Sequence, residues 1–326
     1  MKKYTHVLTT FLFITLLTSC LHAPQPTAME LYNTGMTYYK QQMYPEALKN
    51  FHEAANAGNI YAANSIGVMY LQGQGVPVNY DTALVRFQYA AKGGFNVALN
   101  NLGWMYSDGK GVEQDLKEAV RWYQKAVDSG NTESAYNLAC MYDKGLGVPV
   151  DYQKAMDLYL MAAGANLPAA MYQIAYLYQK GFGVQKDYSK AREWFEKAAD
   201  LGHHKSMYNL GSFYYFGFGV SKDKTKTMEW FLKAANAGNI DAMRDAGRLY
   251  FLGDGVVRND TIAFKLFEKA AVAGDTAAML EVAAMYQLGR GVAKNVKMAK
   301  EWNEKEKVAA SVYREKVVSA IVKIKQ

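Results

Sequence analysis

Apolar and small residues recur along this chain at two periods, a short helical one and a longer one of 36 residues. Rows of 36 laid out from Tyr61 open next at Val97, Glu133, Ala169, Lys205, Asp241 and Ala277, with no insertion needed. Places 2, 6, 7, 9 and 10 of each row are apolar or small, and their spacing follows the helical period, so the first third predicts a helix A. Place 7 is small throughout: Gly67, Gly103, Ala139, Ala175, Gly211, Gly247 and Ala283. Place 10 is always tyrosine: Tyr70, Tyr106, Tyr142, Tyr178, Tyr214, Tyr250 and Tyr286. A small residue lets a neighbouring helix come close, and the tyrosine is expected to fill the space beside it.

Gly-x-Gly-Val closes each helix A, from Gly73-Gln74-Gly75-Val76 to Gly289-Arg290-Gly291-Val292. The first glycine suits a left-handed cap. The second is expected to let the chain reverse, and the valine to return to the core. Place 19 is then Asn79, Asp115, Asp151, Asp187, Asp223, Asn259 or Asn295, each a good N-cap for a helix B. Ala83, Ala119, Ala155, Ala191, Ala263 and Ala299 give helix B a small face, with Thr227 the one departure. Aromatics such as Phe87, Tyr123, Phe195 and Phe231 follow four residues later. Gly94, Gly130, Gly202, Gly238 and Gly274 end helix B, and Asn166 takes that place once, as the best non-glycine substitute in a left-handed conformation.

These rows resemble the Sel-1-like repeat family, a relative of the tetratricopeptide repeats. The resemblance implies an all-α fold, an alpha-alpha superhelix (a right-handed α-solenoid) of seven helix-turn-helix repeats over 61–302. Residues 28–60 resemble one further hairpin of the tetratricopeptide kind, with Gly35, Tyr38, Ala47, Phe51 and Ala54 but without the Gly-x-Gly loop. Asn303, Glu306 and Lys307 break the apolar pattern of the last row, as a solvent-facing cap requires. Residues 303–326 then read as a basic amphipathic capping helix.

The start of the chain has a separate logic. Lys2 and Lys3 precede a short apolar run from Leu8 to Leu17, too short to span a bilayer and fit for an export signal. Leu17-Thr18-Ser19-Cys20 resembles the lipobox of bacterial lipoprotein precursors. That resemblance implies a signal peptide over 1–19, cleavage after Ser19, lipid on Cys20 and a short tether over 20–27. The plainer alternative is a secretory signal that merely ends near a cysteine, but charge, apolar run and small residues agree on the lipoprotein. Leu21 replaces the aspartate that retains many such proteins at the inner membrane. The expected location is therefore the outer membrane of the cell envelope, facing the periplasm or the cell surface.

Net charge is +7, and residues 294–326 hold nine Lys/Arg against four Asp/Glu. The repeat rows are thus close to neutral, which argues against nucleic acid as their partner. Cys140 is the only cysteine besides Cys20, so no internal disulfide is expected in a mature chain. The Tyr313, Val317, Ile321 and Ile324 stripe near the end, ringed by Lys307, Arg314, Lys316, Lys323 and Lys325, is expected to pack on the last repeat. Contact with an anionic membrane surface or an acidic partner is the alternative.

Catalysis finds little support. Some cysteine-rich relatives of the repeat family are named beta-lactamases, and Ser107-Asp108-Gly109-Lys110 and Ser221-Lys222-Asp223-Lys224 have Ser-x-x-Lys spacing. Both fall in the variable part of the repeat loop, with no Ser-Asp-Asn or Lys-Thr-Gly partner. The Gly-x-Gly pairs follow helices and lack a third glycine, unlike a nucleotide fingerprint. His22, His52, His203 and His204 form no ligand set at helical spacing, so no metal or other cofactor is expected.

Binding is the better expectation. The family resemblance implies that helix A lines a concave surface, and places 1, 4, 8, 11 and 12 share one helical face. Place 4 reads Asn64, Asn100, Tyr136, Tyr172, Tyr208, Arg244, Leu280, and place 8 reads Val68, Trp104, Cys140, Tyr176, Ser212, Arg248, Ala284. Places 11 and 12 add Tyr215, Phe216, Phe251 and Leu252. Singly, each ring is as well explained by packing between repeats. As a cluster, Trp104, Tyr136, Tyr172, Tyr176, Tyr208, Tyr215, Arg244, Arg248 and Phe251 are the candidate partner-binding residues, since such residue types dominate binding hot spots. A peptide or partner helix is the expected ligand, with a glycan or peptidoglycan second. The expected function is an envelope interaction scaffold; a beta-lactamase or penicillin-binding-type hydrolase is the alternative.

Overall fold

The computed structural model describes residues 25–324. Cys20 and the segment 1–19, expected to be a signal peptide, lie outside the described residues. So do Lys325 and the side chains of Tyr313, Lys316, Val317, Ile321, Lys323 and Ile324.

Sixteen helices and no strand occur among the described residues. They come in pairs: α1 (Ala28–Lys40) and α2 (Tyr44–Asn56), α3 (Ile60–Gln72) and α4 (Tyr80–Lys92), α5 (Asn96–Asp108) and α6 (Leu116–Asp128), α7 (Thr132–Lys144) and α8 (Tyr152–Gly164). The series continues with α9 (Pro168–Lys180) and α10 (Tyr188–Asp200), α11 (His204–Phe216) and α12 (Lys224–Asn236), α13 (Ile240–Leu252) and α14 (Asp260–Val272), α15 (Thr276–Leu288) and α16 (Val296–Ile324). Odd numbers are helix A of each row and even numbers helix B, so the chain is an all-α solenoid of helix-turn-helix repeats. Two compact units divide the described residues: one holds those up to Met141 with Leu146–Pro149, the other Tyr142–Gly145 and those from Val150.

The loop between helices A and B is closed by one recurrent bond. The Asn79 amide donates to the Tyr70 carbonyl at 2.9 Å, and the same bond recurs in every row down to Asn295 and Tyr286 at 2.9 Å. Place 10 therefore anchors the loop through its backbone. Place 19 also caps helix B, as where the Asn79 side chain accepts from the Thr82 amide at 2.8 Å. Asn166 adopts φ +59°, the left-handed value expected of it.

Two packing roles differ from expectation. The ring that fills the space at place 7 comes from helix B: a Cβ on Gly67 would lie 2.6 Å from Phe87, and one on Gly103 2.6 Å from Tyr123. The place 10 tyrosine does not fill it. Phe87 and Phe195 are fully buried, and each such ring contributes about 1.5–3 kcal/mol relative to exposure. The second glycine of the loop does more than reverse the chain. At Gly183, with φ +66°, a Cβ would come within 2.6 Å of Tyr152 Cβ at the start of the preceding row's helix B. That glycine seats each loop on the row before it, a contact that separation along the sequence conceals.

The last helix departs from the others in length. Each earlier helix has 13 residues, whereas α16 has 29. Its row carries Ala310 where other rows place the glycine or asparagine that ends helix B, so nothing stops the helix. Trp302 is its last large core residue among the described side chains.

Candidate functional site

The variable face of helix A carries two kinds of position. The first joins consecutive rows. In the N-terminal unit Asn101 Nδ2 donates to Asn64 Oδ1 at 3.0 Å, while Ser134 Oγ and Asn137 Nδ2 donate to Asn100 Oδ1 at 2.8 and 3.0 Å. In the C-terminal unit the Tyr208 hydroxyl donates to Asp245 at 2.9 Å. Place 4 of one row thus bonds place 5 of the next. Burial, and then the Asp245 carboxylate, push the Tyr208 phenol well above its ordinary range, so it stays a neutral donor.

The second kind of position opens a cleft. Between α11 and α13 a cleft of about 430 Å³ is formed, within the size range of ligand pockets. From α11 it takes Tyr208, Ser212, Tyr215 and Phe216, which follow the helical period. Phe231 of α12 supplies the floor, stacked on Tyr208 with ring centres 5.3 Å apart. From α13 come Asp245, Arg248, Leu249 and Leu252. The apolar lining side chains most open to solvent are Phe216 at 55% and Leu252 at 61% exposure. Arg248 is exposed and has no hydrogen-bond or ion-pair partner among the described residues.

Arg244, one turn earlier, is placed differently. It pairs with Asp241 at 2.9 Å, Asp245 at 3.4 Å and Asp275 at 2.5 Å. Its charge is balanced inside the array, which leaves Arg248 as the cation offered to a ligand. The two arginines expected to act together therefore have separate duties.

The other candidates divide similarly. Tyr208, Tyr215 and Arg248 meet in the cleft. Tyr172 lies against Phe195 and His203, with ring centres 5.6 and 5.0 Å away, and is half-buried by them. Tyr176 stands beside Phe182 at 6.4 Å with Lys180 over its ring. Phe251 is covered by the Arg290 guanidinium at 4.0 Å. In the N-terminal unit Trp104 is 38% exposed and Tyr136 half-buried, and neither lines a described cleft. Sequence reasoning missed Asp245, Leu249 and the reach of Phe231 into the site. The first was legible in principle, since Asp245, Arg248 and Leu252 fall one and two turns apart on a single face.

The lysines of the two Ser-x-x-Lys stretches are paired with carboxylates. Lys110 pairs with Asp108 at 3.8 Å and lies over the Tyr80 ring, while Lys224 pairs with Asp254. His203 serves as the N-cap of α11, its Nδ1 accepting from the Ser206 amide at 3.3 Å. Burial first, then His204 and Lys205, push its pKa down to about 4, so the ring is neutral and able to accept. No group of residues suited to a metal ion occurs among the described residues.

Comparison with known proteins gives the family. The Sel1 repeat model matches eight times, over 28–59, 60–95, 96–131, 132–167, 168–203, 204–239, 240–275 and 276–305. The first of these is the hairpin that lacks the Gly-x-Gly loop. A Sel1 repeat protein from Oxalobacter formigenes is 28% identical with a TM-score of 0.74, over 89% of this chain and 88% of that one. A protective antigen present in uropathogenic Escherichia coli strains, displaying an SLR fold, is 30% identical with a TM-score of 0.69 over 86% of this chain. The chain spans 61% of that antigen's length. No curated protein matches. The chain belongs to the Sel1 repeat family.

Proposed function

We propose that this Sel1 repeat protein is an interaction scaffold of the bacterial cell envelope, tethered by lipid on Cys20 and binding a protein partner on the helix A face. Sel1 repeats generally mediate protein–protein interactions, and the repeat frame here is filled by packing and loop closure, with its variable positions left for contact. One observation carries the reading. The α11–α13 cleft combines open rings, an exposed leucine and an unpaired arginine at corresponding faces of successive helices. Exposed apolar surface of this kind, rimmed by charge, marks interaction sites. Catalysis has no comparable support, because the lysines of both Ser-x-x-Lys stretches face carboxylates.

Two experiments test the parts separately. A photo-crosslinking benzophenone residue at position 216, in cells, is expected to capture a protein adduct, and the same residue at Lys190 on helix B is not. Adducts from Lys190 alone, or from neither position, would overturn the scaffold reading. For the anchor, Cys20→Ala is expected to leave the chain uncleaved or to free it from the membrane fraction. Unchanged mass and fractionation would remove the lipoprotein from the proposal without touching the cleft.

A further inference from the structure

The cleft between α11 and α13 has a chemistry specific enough to define what fits it. Its floor is the stacked pair of Tyr208 and Phe231, and its walls are Phe216 and Leu252. An apolar or aromatic side chain is the group that such a floor and walls would desolvate at no polar cost. The polar groups of the cleft are mostly engaged already. Asp245 accepts from the Tyr208 hydroxyl at 2.9 Å and lies 3.4 Å from Arg244, and Ser212 Oγ donates to the Tyr208 carbonyl at 3.1 Å. Arg248 remains as the one lining group with an unused full charge.

Resting on the scaffold reading, we propose that the cleft receives a partner segment in which a large apolar side chain stands next to a carboxylate. The apolar side chain lies on Tyr208 and Phe231 between Phe216 and Leu252. The neighbouring carboxylate pairs with the Arg248 guanidinium, whose fork of donors matches it bidentately. Charge complementarity selects this occupant. A basic segment would set its cation against Arg248, since the nearest carboxylate, Asp245, is held by Tyr208 and Arg244. A sugar would find stacking rings but would leave Arg248 without a counter-charge.

The test uses the full chain and two capped tetrapeptides, Gly-(4-fluoro-Phe)-Asp-Gly and its Asn twin, with the fluorine resonance titrated for affinity. The Asp peptide is expected to bind roughly tenfold more tightly than the Asn peptide, the usual scale of one charge-assisted pair. In Arg248→Gln, and in 1 M salt, the two peptides are expected to bind alike. Phe216→Ser with Leu252→Ser is expected to weaken both, and circular dichroism of every variant is expected to match the parent. A ratio near one in the parent, a ratio that survives Arg248→Gln, or no binding of either peptide overturns the inference. A flat ratio alongside a crosslink at position 216 leaves the scaffold reading standing and removes the inference. A tenfold ratio without any crosslinked partner does the reverse.

Discussion

The array contains a second cleft at the same register, and the pair shows what a repeat frame leaves open. Between α1 and α3 a cleft of about 150 Å³ is lined by Tyr32, Met36, Tyr39, Phe51, Ser65 and Val68. Five rows later the corresponding residues are Ser212, Phe216, Gly219, Phe231, Asp245 and Arg248, and all but the glycine line the 430 Å³ cleft. The floor phenylalanine is the same in both. What differs is place 8. Tyr32 fills its own cleft, its ring 5.8 Å from Phe51 and 6.0 Å from Tyr61, whereas Ser212 leaves room. On the facing helix, Ser65 and Val68 give way to Asp245 and Arg248. The shared frame sets where a cleft can form, and two or three variable side chains decide whether it is open and charged.

The largest effect is expected from the frame itself, and it should fall on both units alike. Gly75 and Gly183 hold positive φ, and a Cβ on either would lie 2.6 Å from a Cβ of the preceding helix B. Gly75→Val and Gly183→Val are each expected to destabilise the protein by about 2–4 kcal/mol, from backbone strain and overpacking together. Gly202→Ala, with φ +84° but open space around it, should cost only about 1–2 kcal/mol. Denaturant melts read all three. Equal melts for Gly183→Val and Gly202→Ala would remove the inter-row contact from the account.

A smaller difference should separate the inter-row bonds of the two units. Asn100→Ala leaves the fully buried Ser134 hydroxyl and the Asn137 amide without their acceptor, an expected loss of about 2–3 kcal/mol. Tyr208→Phe removes one donor while Asp245 keeps Arg244, an expected loss of about 1 kcal/mol. Matching losses in the two melts would mean that the Tyr208 bond is as structural as the asparagine ladder.

The comparison can also be collapsed at the cleft. Ser212→Tyr gives the α11–α13 cleft the residue that fills its counterpart. It is expected to weaken apolar-acidic peptide binding about tenfold, near 1.4 kcal/mol, with stability changed by less than that. Unaltered peptide affinity would show that the space beside Ser212 is not where the ligand lies.

Most of the fold was legible, because each loop and cap depends on a residue type that few others can replace. Gly-x-Gly and the acid or amide at place 19 report a local backbone path, and Asn166 reported its own φ. What the sequence concealed is contact across rows. That Gly183 touches Tyr152, or that Tyr208 bonds Asp245, depends on how hairpins stack, and separations of 31 and 37 residues carry no local mark. The same gap affected the site. Helical spacing placed Tyr208, Tyr215 and Arg248 on one face, but whether an arginine is free depends on its neighbours. Arg244 is held by Asp275, the N-cap of the following helix A, and its place in the sequence looks no different from that of Arg248.

A last effect separates the helix A caps by pH. Asn59 and Asn131 cap α3 and α7 with amides that do not titrate, whereas α11 is capped by His203. Its pKa in the fold is pushed down to about 4, by burial before the neighbouring His204 and Lys205, from an ordinary 6.5. A depressed histidine means that the unfolded chain binds the extra proton first as pH falls. The stabilisation is therefore complete above about pH 6.5, declines as pH drops through that window, and is gone below about 4. Protonation also makes Nδ1 a donor, so the Ser206 amide loses its acceptor. His52, in the N-terminal unit, is likewise pushed down by burial and then by Arg86, so the wild-type curve alone would mix two contributions. His203→Asn keeps a capping acceptor and removes the titration. The melting temperatures of parent and variant, measured from pH 7 to pH 4, are expected to diverge steadily in favour of the variant as the pH falls. Parallel curves across that range would mean that His203 does not report on the fold, and the two units would then respond to acid in the same way.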